Sequence, residues 1–455
     1  MPLDATAQNA GSAGAPLEIF GVSIVTAPFR RDQVTEYWVY TWLDSRGIRT
    51  LDQVKAALAS SAEIDDLKQA ATLVVDGWRS SPPEPRPLSL IAGAGIDLSG
   101  RLDCNATGCR RAQVDRLFRR AWHYFETIVA RDSIAQDLIV HRNCPDDEFR
   151  EILPPLFETA LMVRELGAES LVEFLPRVPA CFEHWRDHAK EAGIEDVALR
   201  EAKIVAQLLR ESEFEVEPAG DGIICTINNP DYSHTQWVNL AQEEIKGKSQ
   251  NQIKRAAVQR VARKFLVHLT ADVKAAHTYG GSFGSTIPLF QKLLANRGEN
   301  VGKVAFEVGL PALDGLSTAQ LIEVRLEYQD TFTRFRTSLR TFLEECLQHG
   351  ITSPEDIQAK LKTDLIDGEL AELKSNLKQA EAAFRLKSAY GLTLGTMVAI
   401  IGVSTRIITP PVAYGLAAAV TATSLGPGVA KYVDDMLRLK SDDMYFLLQA
   451  EAHQH

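Results

Sequence analysis

The stretch STAQLIEVRLEYQDTFTRFRTSLRTFLEECLQHGITSP, Ser317 to Pro354, decides how this chain is read. Ser317 and Gln320 form a capping-box pair, each satisfying the other's orphan backbone N–H at a helix start. Leu321, Val324, Tyr328, Phe332, Phe335, Leu339, Phe342 and Cys346 then recur mostly at alternating four- and three-residue steps, the seam of one helix face. Gly350 supplies a stop. Ser353-Pro354 restarts a helix, with serine as N-cap and proline in the first turn. Its stripe is Ile357, Leu361, Leu365, Leu373, Leu377, Ala380 and Phe384. Two such helices joined by a short turn zip antiparallel, each about 45–50 Å long at 1.5 Å per residue.

Downstream the character changes. Between Ser388 and Ala430 the only charged side chain is Arg406. Pro410-Pro411 divides this span into two Gly/Ala-rich halves, each close to the roughly 20 residues that cross a hydrocarbon core. Gly391-x-x-x-Gly395 permits close helix approach. Ile400, Ile401 and Gly415 complete the apolar set. So diluted a segment suits a soluble protein that later inserts, or a buried helix pair in a soluble bundle. The layout resembles that of helical pore-forming toxins and colicin-type channel domains. No residue motif is shared, so no residue role follows.

Upstream, residues 18–240 read as an α+β domain with few strands. Apolar runs at Ile19–Val25, Leu88–Ala92 and Thr127–Ala130 suggest strands. Phe214 to Ile227 alternates around the turn Pro218–Gly222, which predicts a hairpin with one buried face. Helical patterns cover Asp32–Asp44, Leu51–Ala59, Glu63–Trp78 and a region from Arg111. So low a strand content argues against a doubly wound sheet. Gly93-Ala94-Gly95 with Gly100 has the glycines of a phosphate loop but neither a prompt helix start nor a Lys-Ser/Thr pair, and reads as a loop.

The expected fold is therefore mainly α with a minor α+β N-terminal domain, a long antiparallel two-helix hairpin and an apolar Gly/Ala-rich helical hairpin. The expected boundaries are a disordered tail at 1–17, the α+β domain at 18–240 and a basic helical connector at 241–313. The long hairpin follows at 314–388, the apolar hairpin at 389–430 and a C-terminal helix and tail at 431–455. Within the connector, GGSFGS (Gly280–Ser285) reads as a flexible joint.

Composition limits function. The chain has 455 residues and a net charge of -11, which argues against a surface devoted to nucleic acid. The start carries no basic-then-apolar export signal, so six cysteines are expected as reduced thiols in the cytoplasm. Two groups have metal-like spacing. Cys104, Cys109, His141 and Cys144 form two close pairs of soft ligands, the pattern of a structural zinc. Cys181, His184 and His188 would share one face of a single helix, although Trp185 stands where a zincin needs glutamate. Ordinary thiols and solvated histidines are the simpler reading of both, and no cofactor is expected beyond a structural zinc.

Lys254, Arg255, Arg260, Arg263 and Lys264 lie on a basic amphipathic stretch able to meet an anionic surface. Pairing with acidic residues of the same chain is favoured over lipid. The cluster Arg110 to Phe125 reads as an amphipathic helix rather than a base-stacking platform. No nucleophile motif occurs.

The function expected from sequence is that of a non-enzymatic, bacterial-type helical protein. It would have an N-terminal interaction or sensing domain and a C-terminal arm that engages an anionic membrane, self-associates and forms a pore. Its alternative is a soluble scaffold or partner-binding subunit. A metal-dependent or nucleic-acid-processing enzyme ranks third, with no small-molecule substrate identified.

Overall fold

Short apolar runs bounded by glycine or polar residues pair side by side at the centre of the first half of the chain. The computed structural model describes residues 17–19, 22–24, 37–80, 88–98, 106–177, 184–232, 235–294, 301–308, 316–367, 375, 442 and 445–452. The chain divides into two compact units, Met1–Glu307 and Val308–His455.

The first unit opens with a small antiparallel pair, β1 (Leu17–Ile19) and β2 (Val22–Ile24). Helices α1 (Trp38–Ser45), α2 (Leu51–Leu58) and α3 (Ser61–Ser80) follow. Thr50 and Gln53 close a capping box on α2, as a Thr-x-x-Gln start should. Then β3 (Ser89–Ala92) leads through α4 (Thr107–Ala121) to β4 (Thr127–Arg131). Two helices, α5 (Ser133–Val140) and α6 (Asp146–Glu165), lead on to β5 (Val172–Leu175).

After α7 (Trp185–Glu191), α8 (Glu195–Leu199) and α9 (Glu201–Glu211) comes an antiparallel meander of β6 (Glu213–Ala219), β7 (Gly222–Asn228) and β8 (Gln236–Ala241). Helix α10 (Gln242–Ile245) precedes the 30-residue α11 (Gln250–Tyr279). The unit closes with β9 (Ser282–Gly284), α12 (Pro288–Leu294) and α13 (Val301–Glu307).

The molecule is mostly helical, as the sequence suggested, but its central sheet departs from expectation. Four strands run parallel in the order β5-β4-β3-β9. Parallel strands need crossover connections, which are right-handed in nearly all proteins. The order therefore turns around at β3, with α4 and α6 on one face and α11 on the other. Consistently, α4 packs with α6 and α13, while α11 packs on β3 and β9 together with α7 and α9. The low strand content hid a two-faced parallel sheet because its strands are only three to five residues long. Buried on both faces, such strands lack the polar alternation that reveals a half-exposed one. GGSFGS is likewise no joint: Ser282, Phe283 and Gly284 pair with Leu90, Ile91 and Ala92 as the sheet's edge.

The expected hairpin Phe214–Ile227 is present, extended by β8 into three strands. Its inner face, with Cys225, Ile227, Val238 and Leu240, is buried with α9 and α11 in one core. A separate core joins α1, α2, α3, α5 and α6 around Trp42, Leu43, Phe149 and Phe157.

In the second unit the Ser317/Gln320 capping box forms as expected. The stripe is interrupted, however. Tyr328, at φ -112° and ψ 39°, separates α14 (Thr318–Glu327) from α15 (Gln329–Gln348), where one continuous helix was expected. On α15 the buried apolar residues are Phe332, Phe335, Leu339, Leu343 and Cys346. Leu343 takes the place given to Phe342: from Leu339 a step of four turns about 40° off the seam, a step of three about 60°. Phe446, on the helix Tyr445–Ala452, packs its ring against Phe332 and Phe335 at 5.2 and 5.6 Å. Ser353 caps α16 (Pro354–Lys360), and the chain continues as a π-helical turn, Leu361–Asp367. The remaining stripe to Phe384 and the apolar span, with Gly391, Gly395, Ile400, Ile401, Arg406, Pro410, Pro411 and Gly415, lie outside the described residues. Among the described residues no helix is long and apolar enough to cross a membrane.

Candidate functional site

Where a parallel sheet reverses its strand order, the loops at the carboxyl ends of the two central strands diverge and leave a crevice. Here that place lies between β3 and β9. The chain leaves β3 through Gly93-Ala94-Gly95. The Gly93 N–H donates to the Gly284 carbonyl at 2.8 Å, which carries the pairing one residue past the strand. A methyl at Gly93 would stand 2.3 Å from the Phe283 ring. Gly95 has φ +88°, a conformation costly to any residue with a Cβ. The turn is held from the other strand by Ser285, whose hydroxyl donates to the Ala94 carbonyl at 2.6 Å. Leu98 follows with φ 62° and is buried, so strain is concentrated beside the turn.

Beneath the turn lies a charged cluster shut off from water. Arg131, the last residue of β4, has a fully buried side chain. Its guanidinium donates to Asp272 Oδ1 at 2.9 Å and lies 3.7 Å from Asp97. It also donates to Nδ1 of His268, which must therefore be the unprotonated ring nitrogen. Arg177, just past β5, donates to the same Asp272 oxygen at 2.9 Å. Its other terminal nitrogen reaches the carbonyls of Ala92 and Val129 at 3.0 and 3.2 Å, tying β3 to β4. Asp272 and His268 come from α11, so the basic helix contributes an acid and an acceptor to the sheet's carboxyl edge. Burial pushes the Asp272 carboxyl pKa up against the pull of both guanidiniums.

Next to the cluster, Asp132 caps α5. Its carboxylate accepts from the Ala135 N–H at 3.0 Å, the Tyr37 hydroxyl at 2.8 Å and the Trp38 indole at 2.7 Å. Burial raises its pKa, and burial together with the Asp132 charge keeps the Tyr37 phenol protonated well above its usual range. Tyr37 stacks on Phe174 at 4.2 Å. A narrow crevice with room for about one water opens here, lined by Tyr37, Leu98, Arg131, Ser133 and Phe174. The Ser133 hydroxyl, in the first turn of α5, is buried and has no hydrogen-bond partner. A glycine turn and a helix N-terminus thus flank one edge. The N–H groups at the helix start are taken by the Asp132 carboxylate, while a glycine turn is a backbone shape of the kind that holds anions.

The residues singled out by spacing behave differently. Cys104 and Cys181 lie outside the described residues. His184 is the N-cap of α7, and His188 Nδ1 meets Glu191 at 3.2 Å. Of the expected group Cys181, His184 and His188, only the two histidines lie among the described residues, one as N-cap and the other on α7 itself. Cys109 lies on α4 and is half-buried. His141 and Cys144 do come together, with Glu148 as their neighbour.

The basic stretch is largely committed within the chain. Arg260 reaches the Asn239 carbonyl at 2.7 Å and pairs with Glu244, Arg263 binds Glu201 at 2.7 Å, and Lys254 sits over the Phe214 ring. Arg255 is exposed and Lys264 half-buried. On α4, Arg110 pairs with Glu158 and Phe118 is buried, as are Trp122, Tyr124 and Phe125 just past its end, as expected of a packed amphipathic helix. No family model matches the chain, and neither a curated protein nor a solved structure does.

Glu201 makes the stability of this unit pH-dependent. It accepts from Arg186 at 2.6 Å and Arg263 at 2.7 Å. Burial raises its carboxyl, but the two guanidiniums outweigh that and hold it low. A carboxylate depressed in the folded state stabilises above its unfolded value of about 4.3 and loses that contribution as pH falls through the folded value. Glu201→Gln should therefore cost about 2 kcal/mol at neutral pH and flatten the acid limb of a urea-stability profile. An acid limb of unchanged slope would place the sensitivity elsewhere.

Sequence reading missed the switch point although both halves of its signal were visible. Gly93-Ala94-Gly95 and Gly280–Ser285 both stand out in the sequence, but pairing them across 191 residues requires knowing that Ser282–Gly284 is a strand.

Proposed function

We propose that the first unit is a sensing domain that binds a nucleotide by its phosphates at the carboxyl edge of the parallel sheet. The observation that carries this reading is the strand order β5-β4-β3-β9, with the Gly93–Gly95 turn at the point of reversal. Ligands of open parallel sheets bind outside the carboxyl ends at such a point. The buried Ser133 hydroxyl, which has no hydrogen-bond partner, lines the crevice beside it and supplies a polar contact. The buried Arg131–Asp272–Arg177 cluster is the rigid floor of this site rather than its anion receptor, since its guanidiniums are already matched by carboxylates.

The test is thermal unfolding of the full chain with NAD, ADP-ribose, ATP or inorganic phosphate. At least one nucleotide at about 100 times its dissociation constant should stabilise by about 2.7 kcal/mol. If none shifts the transition at millimolar concentration, the reading fails.

The second unit fits a helical arm that engages an anionic membrane, supported by 43 residues, 388–430, carrying a single charge. A span so poor in ionised groups must be covered by protein or by lipid. Leakage of dye from anionic liposomes should require residues 389–430. Equal leakage from a chain lacking them would sink the proposal, and no leakage from either would favour the soluble scaffold.

A further inference from the structure

The corner between α5 and α6 brings together a second kind of chemistry, unrelated to the sheet edge. Helix α5 ends at His141, its C-cap. The chain turns through Cys144, whose N–H donates to the His141 carbonyl at 2.7 Å, and enters α6, which carries Glu148 in its first turn. The turn fixes three donor atoms of different softness on one side of the corner. The imidazole, thiol and carboxylate donors all lie within 4.8 Å of one another. The Cys144 Sγ and His141 Nδ1 are 3.8 Å apart.

That separation discriminates between readings. With bonds of about 2.3 Å to sulfur and about 2.05 Å to nitrogen, a tetrahedral ion holds its S and N donors about 3.6 Å apart. The imidazole and thiol are thus already at the spacing of a tetrahedral edge. The exposed Glu148 carboxylate would need to move inward by about 1 Å, within reach of its flexible side chain. Thiolate, imidazole and carboxylate together select a borderline-soft divalent ion over calcium or magnesium, which prefer oxygen.

We propose that His141 Nδ1, Cys144 Sγ and Glu148 form a zinc site, with water as the fourth ligand, that staples α5 to α6. Thiolate and carboxylate balance the ion's two charges, so the site is neutral overall. Lys68, the nearest ammonium, is occupied by Asp146 at 3.2 Å and Asp65 at 3.6 Å and does not compete. Binding exchanges one proton: the Cys144 S–H bond breaks, a sulfur–metal bond forms and the proton leaves to solvent. Spacing groups His141 and Cys144 with Cys104 and Cys109; Cys104 lies outside the described residues, and among those described Glu148 joins the pair.

The test uses cobalt as a spectroscopic probe on the reduced full-length chain. One equivalent of Co2+ should produce a near-ultraviolet thiolate-to-cobalt charge-transfer band that Zn2+ removes. Cys144→Ser should abolish the band. His141→Ala and Glu148→Gln should each weaken binding by at least about tenfold, with the helical circular dichroism unchanged. Displacement of one proton should make the affinity rise about tenfold per pH unit below the thiol pKa. The proposal is overturned by the absence of a thiolate band, or by a band that survives Cys144→Ser and disappears only when Cys104 or Cys109 is replaced.

Discussion

Asp272→Ala is expected to destabilise the first unit by about 3–5 kcal/mol, the usual effect of removing one partner from a buried ion pair. Its Oδ1 receives both Arg131 and Arg177, and all three side chains are almost wholly buried. Without it, two guanidiniums remain in the interior with only Asp97 near them, and neither can lose its proton. Because Arg177 also holds the Ala92 and Val129 carbonyls, the loss should spread to the carboxyl ends of β3 and β4. Urea unfolding followed by far-ultraviolet circular dichroism measures the change. Adding Arg131→Met should recover part of it, since one stranded cation is removed, and the double-mutant cycle gives the coupling. A loss below about 1 kcal/mol for Asp272→Ala would mean that water reaches the cluster and that it is not a rigid floor.

The sign of the pH effect is opposite to that at Glu201. Burial raises the Asp272 carboxyl, so between the ordinary aspartate value and the raised one the folded state holds a proton that the unfolded state does not. Its contribution is present at low pH and is lost as pH rises through the raised value. Acid therefore acts first on Glu201 and the other depressed carboxylates, not on the core of the sheet.

How far the sequence reveals this molecule depends on how far apart the interacting residues are. The capping boxes at Thr50, Ser249 and Ser317 are local, and all three form. The alternation in Phe214–Ile227 is local and gives its hairpin. The parallel sheet is not local. Ile91 pairs with Val129 on one side and Phe283 on the other, and Val172–Leu175 and Ser282–Gly284 are too short to announce themselves. The candidate site inherits that difficulty, because its residues come from six segments between Tyr37 and Thr286. Asp272 and His268 were especially obscure: on a helix read for its basic face, a single acid and a single histidine turned inward leave no periodic trace. Metal spacing fared in between. The three-residue step from His141 to Cys144 survives in space with a local glutamate beside it, while Cys104 of the long-range pair lies outside the described residues.

The glycine turn provides the sharpest separation of fold from function. Gly93→Ala places a methyl 2.3 Å from Phe283 Cε2 and 2.9 Å from the Gly284 carbonyl. Relief requires β9 to move away from β3, which also breaks the Gly93 N–H bond to that carbonyl, so a loss of about 3 kcal/mol is expected. Gly95→Ala differs in kind. Its φ of +88° costs a non-glycine residue about 1–2 kcal/mol, and the nearest atom to the new methyl is Thr286 Oγ1 at 2.4 Å. That hydroxyl has no hydrogen-bond partner, so it can rotate aside without breaking anything. Gly95→Ala should thus keep the fold, by circular dichroism and a transition only a few degrees lower, while its reshaped turn binds nucleotide at least about tenfold more weakly. Calorimetric titration of both variants decides the matter. Should Gly95→Ala bind as tightly as the unaltered chain, the turn is not where phosphate sits. Its strained backbone would then serve only to bring β9 alongside β3.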